Sequence, residues 1–314
     1  MESQLNSSTP VSIEPNMTAT ALYRDLIRSV SGRLIPLPDK PEETPDGIIR
    51  ALWHKAAGVS VSVEHASELT LPQLDNSGIA KLRELVEQRL AGIPLPYLTG
   101  LQRFMGLDLL VGPEALIPRK ETELLCQSAI DMLRRMGSQK STVKVIDVCT
   151  GSGNVAVALA HYIPQARVFA SDLSPQAVEL AKRNVQHLGL EERVEVKEGD
   201  LFAPFEDSTF YGNTDLITCN PPYISSHKVD TMPDEIIKYE PRLAFDGGPF
   251  GIKILNRFIQ DAPRFLRKGG WIAFEVGLGQ GQPIFRRLAG DGKFREIVPI
   301  KDGFGEVRGI MASC

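Results

Sequence analysis

The chain has 314 residues, 42% of them apolar and 24% charged, with a formal net charge of -4. That length exceeds the usual size of one domain and favours a large domain with a smaller companion, and the composition is that of an ordinary soluble globular protein. The mild acidity gives no support to a duplex-DNA binder, which carries a basic surface, and neither the four cysteines nor the five histidines fall at zinc or redox spacings, so reduced thiols, no metal and a cytoplasmic location are expected.

Residues 1–16 are rich in Ser, Thr, Asn and Pro and lack the basic and apolar regions of a signal peptide, so they read as a flexible tail. No apolar stretch approaches the roughly 20 residues of a membrane helix. Leu22, Leu26 and Ile27 recur at helical spacing within Thr18 to Val30. A Pro-rich connection runs from Pro36 to Pro45, and Thr44-Pro45 reads as an N-cap and first helical position for a helix over Asp46 to Ala57. Leu82, Leu85, Val86 and Leu90 mark another helix, ending near Gly92. Residues 17–100 are thus expected to form a small helical bundle. Between Phe104 and Pro118, Leu107, Leu109 and Val111 alternate, with Gly106 and Gly112 as punctuation, which predicts a hairpin linker over 101–120. A helix from Glu121 to Met136 follows.

From Val143 the pattern becomes strand, loop, helix, repeated. Strands are predicted at Val143 to Val148, Arg167 to Ser171, Val194 to Lys197, Asp215 to Cys219, Trp271 to Val276, Phe294 to Pro299 and Val307 to Ala312. Helices are predicted at Val155 to Tyr162, Pro175 to Leu188 and Phe250 to Phe265. Such alternation means an α/β domain, residues 121–314, with a parallel sheet covered on both faces and a ligand site beyond the carboxyl ends of its strands.

The first of these strands runs into Cys149-Thr150-Gly151-Ser152-Gly153, where glycines let the backbone turn sharply and approach a ligand. Gly151, Gly153 and Ala156 satisfy G-x-G-x-x-A, which serves a nicotinamide dinucleotide or a methyl donor equally well. Asp172, nineteen positions after Gly153, closes the next strand, where a carboxylate can take both ribose hydroxyls. The alternative role, capping the next helix, suits Ser174 better and leaves Asp172 and its neighbour Leu173 to the cofactor. Asp200 and Leu201, after the third strand, are candidates for the adenine edge and face.

Asn220-Pro221-Pro222-Tyr223 follows the strand Asp215 to Cys219. Two prolines fix φ and remove two donors, leaving nearby carbonyls rigidly aimed. The Asn220 side-chain oxygen and the Pro221 carbonyl can each accept one N–H of a planar NH₂ group, and Tyr223 offers a flat face to stack on it. A hydride-transfer enzyme has no use for such a slot; methyl transfer to nitrogen has.

The cradle, Asp172 and Asn220 to Tyr223, in this order, resemble the HemK/PrmC family of protein-(glutamine-N5) methyltransferases. So do Pro96 to Gly100, Leu116-Ile117-Pro118-Arg119-Lys120-Glu121-Thr122-Glu123, Glu240 to Gly248 and Phe274-Glu275-Val276-Gly277, giving coverage from about Leu95 to Cys314. The chain departs from the family's usual residues at Cys149, where glycine is common, and at Lys120, Asn154 and Leu201. The resemblance implies a class I methyltransferase fold: a doubly wound, mostly parallel seven-stranded sheet with an N-terminal substrate-recognition bundle. It implies S-adenosyl-L-methionine as cofactor, held by Cys149 to Gly153, Asp172, Leu173, Asp200, Leu201 and Asn220, with Pro118, Arg119 and Glu121 at its border. Asn220, Pro221, Pro222 and Tyr223 would hold the glutamine amide, with Asn220, Pro221 and Tyr223 as the catalytic set. The implied partner is a peptide chain release factor, methylated at its GGQ glutamine. Alternative acceptors are a ribosomal protein glutamine, a small amide-bearing metabolite or a nucleic-acid base. The last is disfavoured because Lys228 and Lys238 are balanced by Asp230, Asp234, Glu235 and Glu240.

Overall fold

The computed structural model describes residues 15–34, 40–137 and 141–314. Most of the expected tail, together with Pro36 and Pro38, lies outside the described residues. Helix α1, Pro15–Ser31, starts inside the tail's expected end. It is followed by α2 (Pro45–Ala56), α3 (Val63–Glu68), α4 (Asn76–Leu90) and α5 (Leu95–Thr99). Thr44 caps α2 as its sequence suggests, its Oγ1 accepting from the Gly47 N–H at 3.0 Å. These helices share a core of their own around Ile49, Leu52, Trp53, Leu82 and Leu95. The short α3 and α5 carry too few apolar repeats to have been legible.

Strands β1 (Leu101–Phe104) and β2 (Leu107–Leu110) form an antiparallel hairpin around Met105-Gly106. Both turn residues have positive φ, 50° and 77°, the pattern of a type I′ hairpin turn. Asp108 accepts from Ser62 Oγ at 2.6 Å and pairs with His65 at 2.8 Å, fastening the hairpin to α3. Its other end is pinned by the buried Asn184, which bonds both backbone groups of Leu110 and the carbonyl of Ser152.

The remaining elements are α6 (Lys120–Gly137), β3 (Val143–Val148), α7 (Asn154–Tyr162), β4 (Ala166–Asp172), α8 (Pro175–His187), β5 (Val194–Glu198), β6 (Thr214–Cys219), α9 (Ser226–Val229), α10 (Asp234–Tyr239), α11 (Lys253–Asp261), β7 (Leu266–Glu275), α12 (Gly281–Asp291), β8 (Ile297–Lys301) and β9 (Val307–Ser313). Among the described residues the main sheet has seven strands in the order β5-β4-β3-β6-β7-β9-β8. The run from β5 to β7 is parallel, and β9 is antiparallel to both its neighbours. The expected mostly parallel, doubly wound sheet is therefore present. Alternate residues of β3 serve opposite layers: Val145 packs with α6, α7 and α8, and Ile146 with Phe205, α11 and α12. The chain winds outward from β3 through β4 to β5, then crosses to β6, so the switch point lies between β3 and β6.

Three expected boundaries shift. The helix predicted from Phe250 starts only at Lys253, because Gly251 takes φ 70° and Phe250 is exposed. The strand predicted from Trp271 begins at Leu266, and the one predicted at Phe294 begins at Ile297.

Candidate active site

Two adjoining cavities open at the switch point. The first is lined by Cys149, Thr150, Gly151 and Ser152 after β3, Asp172, Leu173 and Ser174 after β4, Asp200 and Leu201 after β5, and Asn220 and Pro222 after β6. Gly153 does not line it. It is the N-cap of α7 at φ 80°, where a side chain would meet Ala181 at 3.1 Å. Cys149 and Gly151 also take left-handed backbone, at φ 56° and 55°. Gly151 has open space where a side chain would stand.

The cradle is held from beneath by buried hydrogen bonds. Asp147 accepts from Thr150 Oγ1 and from Thr218 Oγ1, both at 2.6 Å. Burial outweighs those two donors and pushes its carboxyl up to about 6. Asp172 accepts from the Gly151 N–H at 2.8 Å and the Ser174 N–H at 3.0 Å, and burial raises its carboxyl too. Ser174 caps α8 through the Ala177 N–H at 3.2 Å, as expected. Asp172 thus lies free of the helix cap but not of the loop, which it ties together. Asp200 faces outward enough to pair with Arg257, at 2.8 and 3.1 Å.

The second cavity is lined by Asn220, Pro221, Tyr223 and Ile224, by Leu116 and Arg119 just before α6, by Glu121 and Thr122 in its first turn, by Met232, Ile236, Ala244 and Phe245, and by Glu275 and Arg308. Leu116, Arg119, Thr122, Asn220 and Ala244 belong to both cavities. Two of the expected site residues line the other cavity from their sequence neighbours. Pro222, expected at the acceptor, lines the first cavity, because successive residues of the extended loop face opposite ways. Glu121, expected at the cofactor border with Pro118 and Arg119, lines the second.

Asn220 Nδ2 donates to Thr122 Oγ1 at 3.0 Å, Thr122 Oγ1 donates to Glu275 Oε2 at 2.8 Å, and Tyr223 OH donates to Glu275 Oε1 at 2.9 Å. Glu275 is 2% exposed, and burial raises its carboxyl against those two donors. The Tyr223 ring packs on Gly277, where a Cβ would stand 3.1 Å from it, and Gln280 Nε2 donates to the Tyr223 carbonyl at 2.9 Å. Thr122 and Glu275 have no role in the sequence analysis, because nothing in the local sequence marks a buried pair 153 positions apart. Glu240, equally unassigned, accepts from the Ile117 N–H at 2.9 Å and from Arg119 at 2.5 Å, which brings the block around Pro118 against the block after Tyr239.

The family model described as Methyltransferase small domain matches residues 126–252. A release factor glutamine methyltransferase of Moorella thermoacetica is 37% identical, over 76% of this chain and 82% of its own length. Its counterpart in Geobacter sulfurreducens is 40% identical, over 67% of this chain and 70% of its own. Among solved structures, the hMettl16 catalytic domain in complex with MAT2A 3'UTR hairpin 1 superposes with a TM-score of 0.52 at 16% identity, over 73% of this chain and 80% of that one, a likeness of fold. The chain belongs to the release factor glutamine methyltransferase family and is an S-adenosylmethionine-dependent methyltransferase.

Proposed function

We propose that this enzyme methylates the side-chain amide nitrogen of a protein glutamine, the GGQ glutamine of peptide chain release factors, and that it acts in the cytoplasm where they work. The observation that carries this reading is the pair of adjoining cavities sharing Asn220 as a common wall: one cradled by the glycine turn, the other bounded by Asn220, Pro221 and Tyr223. The first cavity fits the cofactor. Gly151 leaves open space beside it, the half-buried Asp172 carboxylate lines it, and the buried Ser152 Oγ there has no hydrogen-bond partner. Cys149 to Ser152 would hold the methionine part, Asp172 and Leu173 the ribose, and Asp200 and Leu201 the adenine. S-adenosylmethionine supplies a methyl group already activated on a sulfonium.

The chain's own task is orientation. An amide nitrogen is a poor nucleophile because its lone pair is shared with the carbonyl. Asn220 Oδ1 and the Pro221 carbonyl accept its two N–H groups, and the Pro221 carbonyl accepts no backbone hydrogen bond among the described residues. Tyr223 bounds the plane of the amide. Its ring cannot swing away, being held at the hydroxyl by Glu275 and at the carbonyl by Gln280. Orientation of this kind can supply about 7–11 kcal/mol. Helices α1 to α5, which fill the region 17–100 and begin two residues before it, are assigned to recognition of the acceptor protein.

A methyl-transfer assay with labelled cofactor tests this, with purified release factors, free glutamine and duplex DNA offered side by side. Label on a release factor, lost when its GGQ glutamine is replaced, is the expected result. Label on DNA or free glutamine alone would overturn it.

A further inference from the structure

A side-chain amide has two ends of opposite character, and a slot that must accept N–H groups works only with the oxygen end forward. Rotation by a half turn would place the Asn220 NH₂ against the substrate NH₂, donor against donor. Something must therefore choose the orientation, and the residues behind Asn220 do so.

Thr122 has one hydroxyl proton and donates it to Glu275 Oε2 at 2.8 Å. Towards Asn220, 3.0 Å away, the same oxygen can then only accept. The Asn220 end that faces Thr122 must be the NH₂, and Oδ1 is left for the cavities. Reversal would set the Asn220 oxygen against the lone pairs of Thr122. Glu275 anchors the sequence because its carboxylate only accepts; Thr122 and Tyr223 are both committed as donors to it. The chain of bonds is sheltered, with Thr122 1% and Glu275 2% exposed, so water does not compete for these partners. It also crosses the fold: Thr122 lies in the first turn of α6 and Glu275 at the carboxyl end of β7.

We propose that Thr122 and Glu275 are positioning residues that lock the Asn220 amide with its oxygen towards the acceptor nitrogen. This rests on the reading of Asn220 as the residue that receives the acceptor N–H. Neither residue touches the reacting atoms. Glu275 sets the polarity, Thr122 transmits it, and the same carboxylate holds the Tyr223 ring upright.

The test compares Thr122→Val, which keeps shape and removes the hydroxyl, with Thr122→Ser, which keeps the hydroxyl. Thr122→Val should lower kcat by about 10- to 100-fold, the scale of a modest misplacement, with the cofactor Kd and unfolding midpoint close to those of the parent. Thr122→Ser should recover at least about a third of the parent's kcat, since it restores the bond. In a nitrogen-15 spectrum, the Asn220 NH₂ signal, identified by its loss in Asn220→Ala, should exchange with solvent faster in Thr122→Val and not in Thr122→Ser. Equal losses in both variants, or near-parental turnover in Thr122→Val, would overturn the lock while leaving the role of Asn220 intact. Near-parental turnover in Asn220→Ala would instead remove the reading on which the lock rests.

Discussion

Two aspartates under the cradle do different work with the same functional group. Asp172 spends one lone pair on the Gly151 N–H and another on the Ser174 N–H, and still lines the first cavity. Its replacement by alanine should weaken cofactor binding by about 1.5–3 kcal/mol, the size of hydrogen bonds to a charged group, and should also loosen the glycine turn. Calorimetric titration measures the first effect, and an unchanged Kd would take Asp172 out of the site. Asp147 never reaches solvent. Its carboxyl stands at about 6 instead of the ordinary 3.8, so the folded chain binds this proton more tightly than the unfolded one. Its contribution to stability is therefore full below pH 3.8 and is lost as the pH rises to about 6, a loss of roughly 3 kcal/mol. Asp147→Asn removes that dependence. Urea unfolding across this range should show the variant gaining on the parent as pH rises, and a constant gap would contradict the burial argument. Cys149 adds a residue that the local backbone does not favour, at φ 56°, in the left-handed region that suits glycine.

At the scale of elements, the stretch from α9 to Asp246 is the most consequential and was the least legible. It walls the second cavity with Met232, Ile236 and Phe245 and the first with Leu243 and Asp246. Its helices are of only one or two turns, and it is held from outside. Glu240 secures it to Ile117 and Arg119. Glu235 secures it to the N-terminal helices, accepting from Lys40 at 2.8 Å and Arg89 at 2.9 Å, with Glu43 beside them. Burial alone would raise Glu235, but Lys40 and Arg89 outweigh it and hold it below its ordinary 4.5. The stabilisation is therefore present above about pH 4.5 and fades as pH falls through the lower folded value. Glu235→Ala leaves two buried cations to Glu43 alone and should cost about 3 kcal/mol in unfolding free energy. It should also raise the KM for the acceptor while the cofactor Kd holds, since Ile236 lines only the second cavity. A parental KM would show that the N-terminal helices do not set this wall. In the sequence alone these acidic residues only balance Lys228 and Lys238. Their true partners, 121 to 195 positions away, follow from the fold and from no local spacing.

For the whole molecule, legibility follows the range of the forces. The run β3–α7–β4–α8 was readable because each step is locally specified: buried valines in β3, a left-handed Gly153 to start α7, and Ser174-Pro175 to start α8. The glycine cradle and Asn220 to Tyr223 were readable for the same reason, as chemistry concentrated in consecutive residues. Helix α12 was missed because among its residues only Gly281, Ile284 and Leu288 are buried, too sparse a stripe to stand out. The division of Asn220 to Tyr223 between two cavities and the pairing of Thr122 with Glu275 needed the assembled sheet.

That last pairing spans 153 positions. Closing so long a loop costs chain entropy that only the docked sheet and helices can offset, and contacts of that separation form slowly. The acceptor slot should accordingly be among the last features to mature when the chain refolds from denaturant. Regain of helical circular dichroism should precede regain of methyl transfer, and simultaneous recovery would mean that the slot is already built in the rate-limiting step. Enzymatic activity in this protein is then a reporter of completed topology, more stringent than secondary structure or compactness.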